Sequence, residues 1–129
     1  MPVLGGQESC LGGTQYRTVT VHTYLNCLGP NYSACPKSSF RLQWFTGGRW
    51  RAVRAYLSPN KPGVDVDKTT VLTRVSVPVG TSRQFRLRIA ATTTAPPGST
   101  VDLNVDADSG AQGPGPWAST GTSAQFTIR

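Results

Sequence analysis

Few side chains in this chain are equipped for chemistry. His22 is the single histidine, Glu8 the single glutamate, and the three cysteines stand at Cys10, Cys27 and Cys35. Nucleophilic or general acid–base catalysis needs a base within hydrogen-bond reach of a hydroxyl, thiol or substrate proton. No Ser or Cys nucleophile sits beside His22 in the sequence, and Cys10 with His22 is a pairing that only the fold could supply. Neither a Gly-rich phosphate loop nor a nucleophile elbow is present, so the expectation is a protein without enzymatic activity. Zinc would want a fourth ligand and a Cys-x-x-Cys spacing that the chain lacks, so neither metal nor other cofactor is expected.

Three cysteines leave at least one without a partner in the chain. Cys27 and Cys35 flank the turn-rich segment LGPNYSA, which brings two Cα atoms within disulfide reach; Cys10 could pair with either instead, and 27–35 is the pairing expected. The string Asp102, Asn104, Asp106 and Asp108 places an oxygen at every second residue, as a calcium loop does. It departs from the EF-hand pattern, since Ala107 stands where Gly is needed and no distal Glu follows. The outer face of a strand produces the same spacing.

The densest chemistry lies between Lys37 and Arg54, where Arg41, Arg49, Arg51 and Arg54 accompany Phe45 and Trp50 without one acidic residue. Two accounts fit. In the first, Phe45, Arg49, Trp50, Arg51 and Arg54 form a cationic aromatic surface for a protein neighbour, or for stacked bases and phosphates. In the second, which the strand pattern favours, Phe45 and Trp50 fill the core and the arginines face water. Trp117, in a Gly/Pro-rich stretch, is either a subunit anchor or a lid over one end of the fold.

These residues must be carried by strands. The 129 residues suffice for one domain, and 14 Gly and 10 Pro, with abundant Ser and Thr, read as strands and turns rather than helices. Residues 1–14 read as an irregular N-terminal arm, and 15–129 as one β-sandwich domain with a Gly/Pro-rich loop over 109–123. A period of two runs through 16–24, with Val19, Val21 and Thr23 on one side and Thr20 and His22 on the other. Phe40–Leu57 reads as a hairpin about Gly47-Gly48, with Phe45 opposite Trp50 and Trp44 opposite Arg51. Further strands are expected over 70–79, with Val71, Thr73, Val75 and Val77 inward, then 83–91, 100–107 and 124–128. If 83–91 and 99–107 pair as a hairpin, Arg86 and Arg88 oppose Asp102, Asn104 and Asp106.

About seven strands at near-even spacing imply an all-β, two-sheet antiparallel β-sandwich with Greek-key connections. The runs LQWFTGGRWRAV from Leu42, QFRLRIA from Gln84 and PPGSTVDL from Pro96 resemble the immunoglobulin-like modules of phage virions and of actinobacterial surface proteins, over residues 40–107. The resemblance implies adhesion, spacing or assembly rather than catalysis.

The net charge is +7, from 13 Lys and Arg against 6 Asp and Glu, which suits an acidic partner. No apolar run is long enough to span a membrane, and no secretory leader is seen after Met1. The expected role is therefore a structural or assembly subunit of a larger particle: a phage virion accessory protein, capsid-decorating or tail-associated, oligomeric within its assembly and contacting neighbouring subunits or shell protein. A secreted, extracellular binding, adhesion or inhibitor module is the alternative, which a 27–35 disulfide would favour. A basic nucleic-acid-binding protein is the second alternative.

Overall fold

A computed structural model describes residues 3–11, 19–59, 68–76, 83–108 and 119–129. Trp117 lies outside the described residues. The strands are β1 (Val3–Leu11), β2 (Val19–Leu28), β3 (Phe40–Thr46), β4 (Arg49–Val53), β5 (Thr70–Val75), β6 (Arg83–Ala91), β7 (Thr100–Asp108) and β8 (Ser119–Thr127). They form two four-stranded antiparallel sheets, ordered β1-β6-β3-β4 and β5-β2-β7-β8. The chain is thus an all-β sandwich. It crosses between sheets at every connection except the β3–β4 and β7–β8 hairpins.

Alternation explains the core. Val19, Val21, Leu25 and Cys27 of β2 and Val101, Leu103, Val105 and Ala107 of β7 meet Phe40, Leu42, Phe85, Leu87 and Ile89 of the other sheet in one buried cluster. Each fully buried aliphatic side chain there contributes about 1.5–3 kcal/mol. Because the period is two, the intervening residues are delivered to the two outer faces.

Several expectations need correction. Residues 1–14 are not an irregular arm throughout, for Val3–Leu11 forms β1 and pairs with β6 from Val3↔Ala90 to Leu11↔Arg83. A Gly-rich segment without alternation gives no strand signal, yet its backbone completes a ladder as well as any other. Ser119–Gly121 and the two residues after them belong to β8 rather than to a loop reaching residue 123. Eight strands are thus present among the described residues, in keeping with the about seven expected of an all-β sandwich.

The β3–β4 hairpin has the register read from the sequence, Phe45↔Trp50 and Trp44↔Arg51. Gly47 and Gly48 take φ of 62° and 78°, the left-handed pair that a two-residue hairpin turn requires. However, β4 ends at Val53. Beyond it the chain crosses to β2, where Leu25 N donates to Tyr56 O and Ser58 N to Leu25 O, both at 2.8 Å.

Residues 83–91 and 99–107 do not pair. β6 lies between β1 and β3, and β7 between β2 and β8, so Arg86 and Arg88 sit on the opposite sheet from Asp102, Asn104 and Asp106. The connection is too long for a tight turn and contains Pro96 and Pro97, which have no N–H to give. Its ends bond elsewhere: Thr92 N donates to Ser39 O at 2.8 Å and Gly98 N to Ile128 O at 2.9 Å.

In β5, Val71 is not inward but 52% exposed. The β2–β5 register shifts between Val21↔Thr73 and His22↔Val71, and the extra residue, Leu72, turns Val71 to the outer face. Val77 lies outside the described residues.

Candidate functional site

The outer face of β6, β3 and β4 carries the most distinctive arrangement. Phe45 and Trp50, opposite each other in the hairpin, stand with ring centroids 5.3 Å apart at 64°, edge to face. Arg86 places its guanidinium 5.5 Å from the Phe45 centroid, and Arg88 places its own 4.3 Å from that of Trp50. Arg88 Nε also donates to Gln43 Oε1 at 2.5 Å. The ring quadrupole attracts the cation and the amide fixes its orientation, so the Arg88 side chain is held before any ligand arrives.

The structure brings Phe45 and Trp50 together on the outer face, Phe45 being 37% exposed. They do not fill the core as the favoured account expected; Trp44 turns inward instead, 6.3 Å from Phe85. The cations over the rings also differ from those singled out. Arg49 and Arg51 are exposed on β4 opposite Thr46 and Trp44, a register that gives their side chains the opposite parity from Trp50. Arg54 is taken up structurally: its guanidinium lies 5.3 Å from the Tyr56 centroid and donates to Lys68 O, while Thr70 Oγ1 donates to Arg54 O at 2.7 Å. Arg86 and Arg88 were missed because their rings lie far away in sequence. The only local signal was the alternation of Arg83–Ala91, which marks them as outward.

Where β4 departs, a cleft opens beside β3. It encloses about 510 Å³ and is lined by Phe40, Arg41, Leu42, Gln43, Val53 and Arg88 among others. A second cleft of about 610 Å³ shares Arg41 and continues past Thr92 and Thr93 to Arg129. Among the described residues no acidic side chain lines either one.

The outer face of the other sheet is acidic. His22, 5% exposed, has Nε2 3.0 Å from Asp108 Oδ2 and Nδ1 3.2 Å from Thr69 Oγ1. Beside it, Tyr24 hydrogen-bonds to Asp106. Burial pushes the Asp106 carboxyl up, with Asp108 adding to the shift, against the lowering effects of His22 and Tyr24. Burial likewise raises the Tyr24 phenol, helped by the Asp106 charge.

A hydroxyl, an imidazole and a carboxylate in series form the relay of a hydrolase. Here the hydroxyl belongs to Thr69, which is buried, 5% exposed. The relay instead ties the start of β5 to β2 and β7. Asp102, Asp106 and Asp108 are spread along the outward side of β7, and among the described residues no three His, Cys, Asp or Glu side chains gather for a metal ion.

Cys27 and Cys35 are bonded, with Cα atoms 5.8 Å apart, closing the turn after β2. Cys10 stands opposite Gln84 in the β1–β6 ladder. No family model, curated protein or solved structure matches the chain significantly.

Proposed function

We propose that the protein is a non-enzymatic assembly subunit of a larger particle, a phage virion accessory protein of the decorating or tail-associated kind. It docks onto a neighbouring protein through the outer face of β6, β3 and β4. The observation that carries this reading is the pairing of exposed Phe45 with half-buried Trp50 on the outer face, with Arg86 and Arg88 held over their rings. Aromatic and arginine side chains dominate the energetic centres of protein interfaces, and a pre-ordered arginine loses little entropy on binding. The resemblance of residues 40–107 to modules of phage virions and of actinobacterial surface proteins is compatible with this reading and with the second one below.

The same cluster weighs against nucleic acid. Base stacking needs an open ring face, whereas the Arg88 guanidinium lies 4.3 Å from the Trp50 centroid. The buried Thr69 at the end of the His22 relay weighs against hydrolysis.

A second reading, a secreted binding or adhesion module, is favoured by the Cys27–Cys35 bond, since disulfides persist in oxidising compartments. Density-gradient fractionation of lysate and medium from producing cells separates the two. Quantitative peptide-mass analysis should find the chain at a fixed copy number in the virion band. Recovery solely as free protein in the medium would reject the assembly reading in favour of the secreted module.

A further inference from the structure

We propose that the cleft beside β3 is a binding site for an extended, carboxylate-bearing segment of the partner protein. The segment lies along the uncovered part of the β3 edge, with its carboxylates on Arg88 and Arg41. This rests on the assembly reading above and names the chemistry of the partner.

Three observations converge. The first is an open strand edge. β4 covers β3 from Leu42 to Thr46, while Phe40 and Arg41 pair with β6 alone among the described residues. A strand edge with a vacant side is a template for a further strand, whose main chain supplies affinity while alternate side chains supply specificity.

The second is the shape and lining of the cleft. Its volume is about 510 Å³, and Arg41 stands in its wall and in that of the second cleft, whose lining includes Arg129. Phe40, Leu42 and Val53 provide apolar surface on one side, and Arg41, Gln43 and Arg88 provide polar groups on the other. An extended chain, apolar and acidic at alternate positions, matches that division because its side chains alternate with the same period.

The third is the state of Arg88. Its Nε is spent on Gln43 Oε1 and its guanidinium carbon lies over the Trp50 ring. Among the described residues no hydrogen bond occupies its Nη atoms, which form the end-on pair of donors that grips a carboxylate through two parallel bonds. Arg41, Arg88 and Arg129 line the two clefts and, among the described residues, no acidic side chain does, so the complementary ligand is anionic. The uncovered backbone edge favours polypeptide over a phosphate chain, because a phosphodiester has no strand ladder to offer. Arg86 is already engaged within the fold, which is why the site is assigned to Arg88 and Arg41 rather than to Arg86.

The test is fluorescence anisotropy at near-physiological salt, using short labelled probes: an alternating Asp–Val peptide, its Lys–Val counterpart and an oligothymidylate of equal charge. The Asp–Val peptide should bind and the Lys–Val peptide should not. Arg88→Ala and Arg41→Ala should each weaken binding about tenfold or more, the size of a lost charge-assisted pair. Arg74→Ala, an exposed cation on β5, should bind as the wild type does. Arg41 is itself exposed, so its variant keeps the test interpretable if Arg88→Ala disturbs the fold. Unchanged affinity in both variants, or tighter binding of the oligothymidylate, would overturn the proposal. Absence of peptide binding by a chain that still joins virions would discard this site and leave the assembly reading standing. Peptide binding that needs Arg88, by a chain that never joins virions, would support the site and discard that reading.

Discussion

The two outer faces are made by the same device, strand alternation over a shared core, and their charges are spent differently. On the β5-β2-β7-β8 sheet, His22 is buried between Asp108 and Thr69, and Asp106 is bonded to Tyr24. On the β1-β6-β3-β4 sheet, guanidinium groups rest on the rings of exposed Phe45 and half-buried Trp50 beside an open cleft. Satisfied, buried polar groups hold strands in register and leave little for a partner. Arg88, held on its ring, keeps its Nη donors and loses little freedom when a ligand arrives. The location of charge therefore says less about binding than whether that charge is already answered within the chain.

If this division is right, substitutions on the acidic face cost stability and those on the arginine face cost binding. The largest expected loss is from His22→Ala, which leaves a half-buried Asp108 carboxylate and the buried Thr69 hydroxyl without the imidazole. Chemical denaturation should show a loss of about 2–3 kcal/mol, with binding by the folded fraction unchanged. Close behind, Cys27→Ser, or reductant on the wild type, opens a loop of sequence separation 8. It should cost about 2.5 kcal/mol by loop-closure entropy, read as a lower midpoint, with the faces otherwise intact.

Trp50→Ala should invert the pattern. Stability falls by about 1 kcal/mol, the worth of an aromatic pair and its cation, while peptide affinity falls about tenfold as Arg88 loses its support. A variant that lost stability like His22→Ala and kept its affinity would erase the distinction between the faces.

The smallest effect concerns Asp106. Its folded pKa is raised above 3.8, chiefly by burial, so the folded chain retains a proton that the unfolded chain has released. This contribution to stability is present below pH 3.8 and is lost as pH rises through the folded value. Asp106→Asn should flatten the fall in stability over that window. Denaturation midpoints that still decline across it as steeply in the variant would assign the slope to another group.

Much of the fold was legible. Gly47-Gly48 between two alternating runs specified the β3–β4 hairpin and its register, because few residues tolerate positive φ at both central turn positions. The alternation of Phe85, Leu87 and Ile89 against Arg86 and Arg88 sorted core from surface. The partner of each strand was not legible. Sequence neighbours invite a hairpin between β6 and β7, and nothing in Ala95–Gly98 announces that the chain crosses to the other sheet. β1 was hidden because a Gly-rich strand pairs through its backbone and leaves no hydrophobic period. For the site, Phe45 and Trp50 were visible as a pair, but their cations come from β6, more than thirty residues on, and a local window cannot see such a contact. The same distance hid Thr69, 47 positions from His22.

The most direct measurement is the copy number of the chain in gradient-purified virions, compared between wild type and Arg88→Glu, with melting curves recorded on both free proteins. The account predicts a fixed copy number for the wild type, and for Arg88→Glu a fall to background with a stability loss of no more than about 1 kcal/mol, the worth of its ring and amide contacts. Incorporation of Arg88→Glu at the wild-type copy number would contradict it.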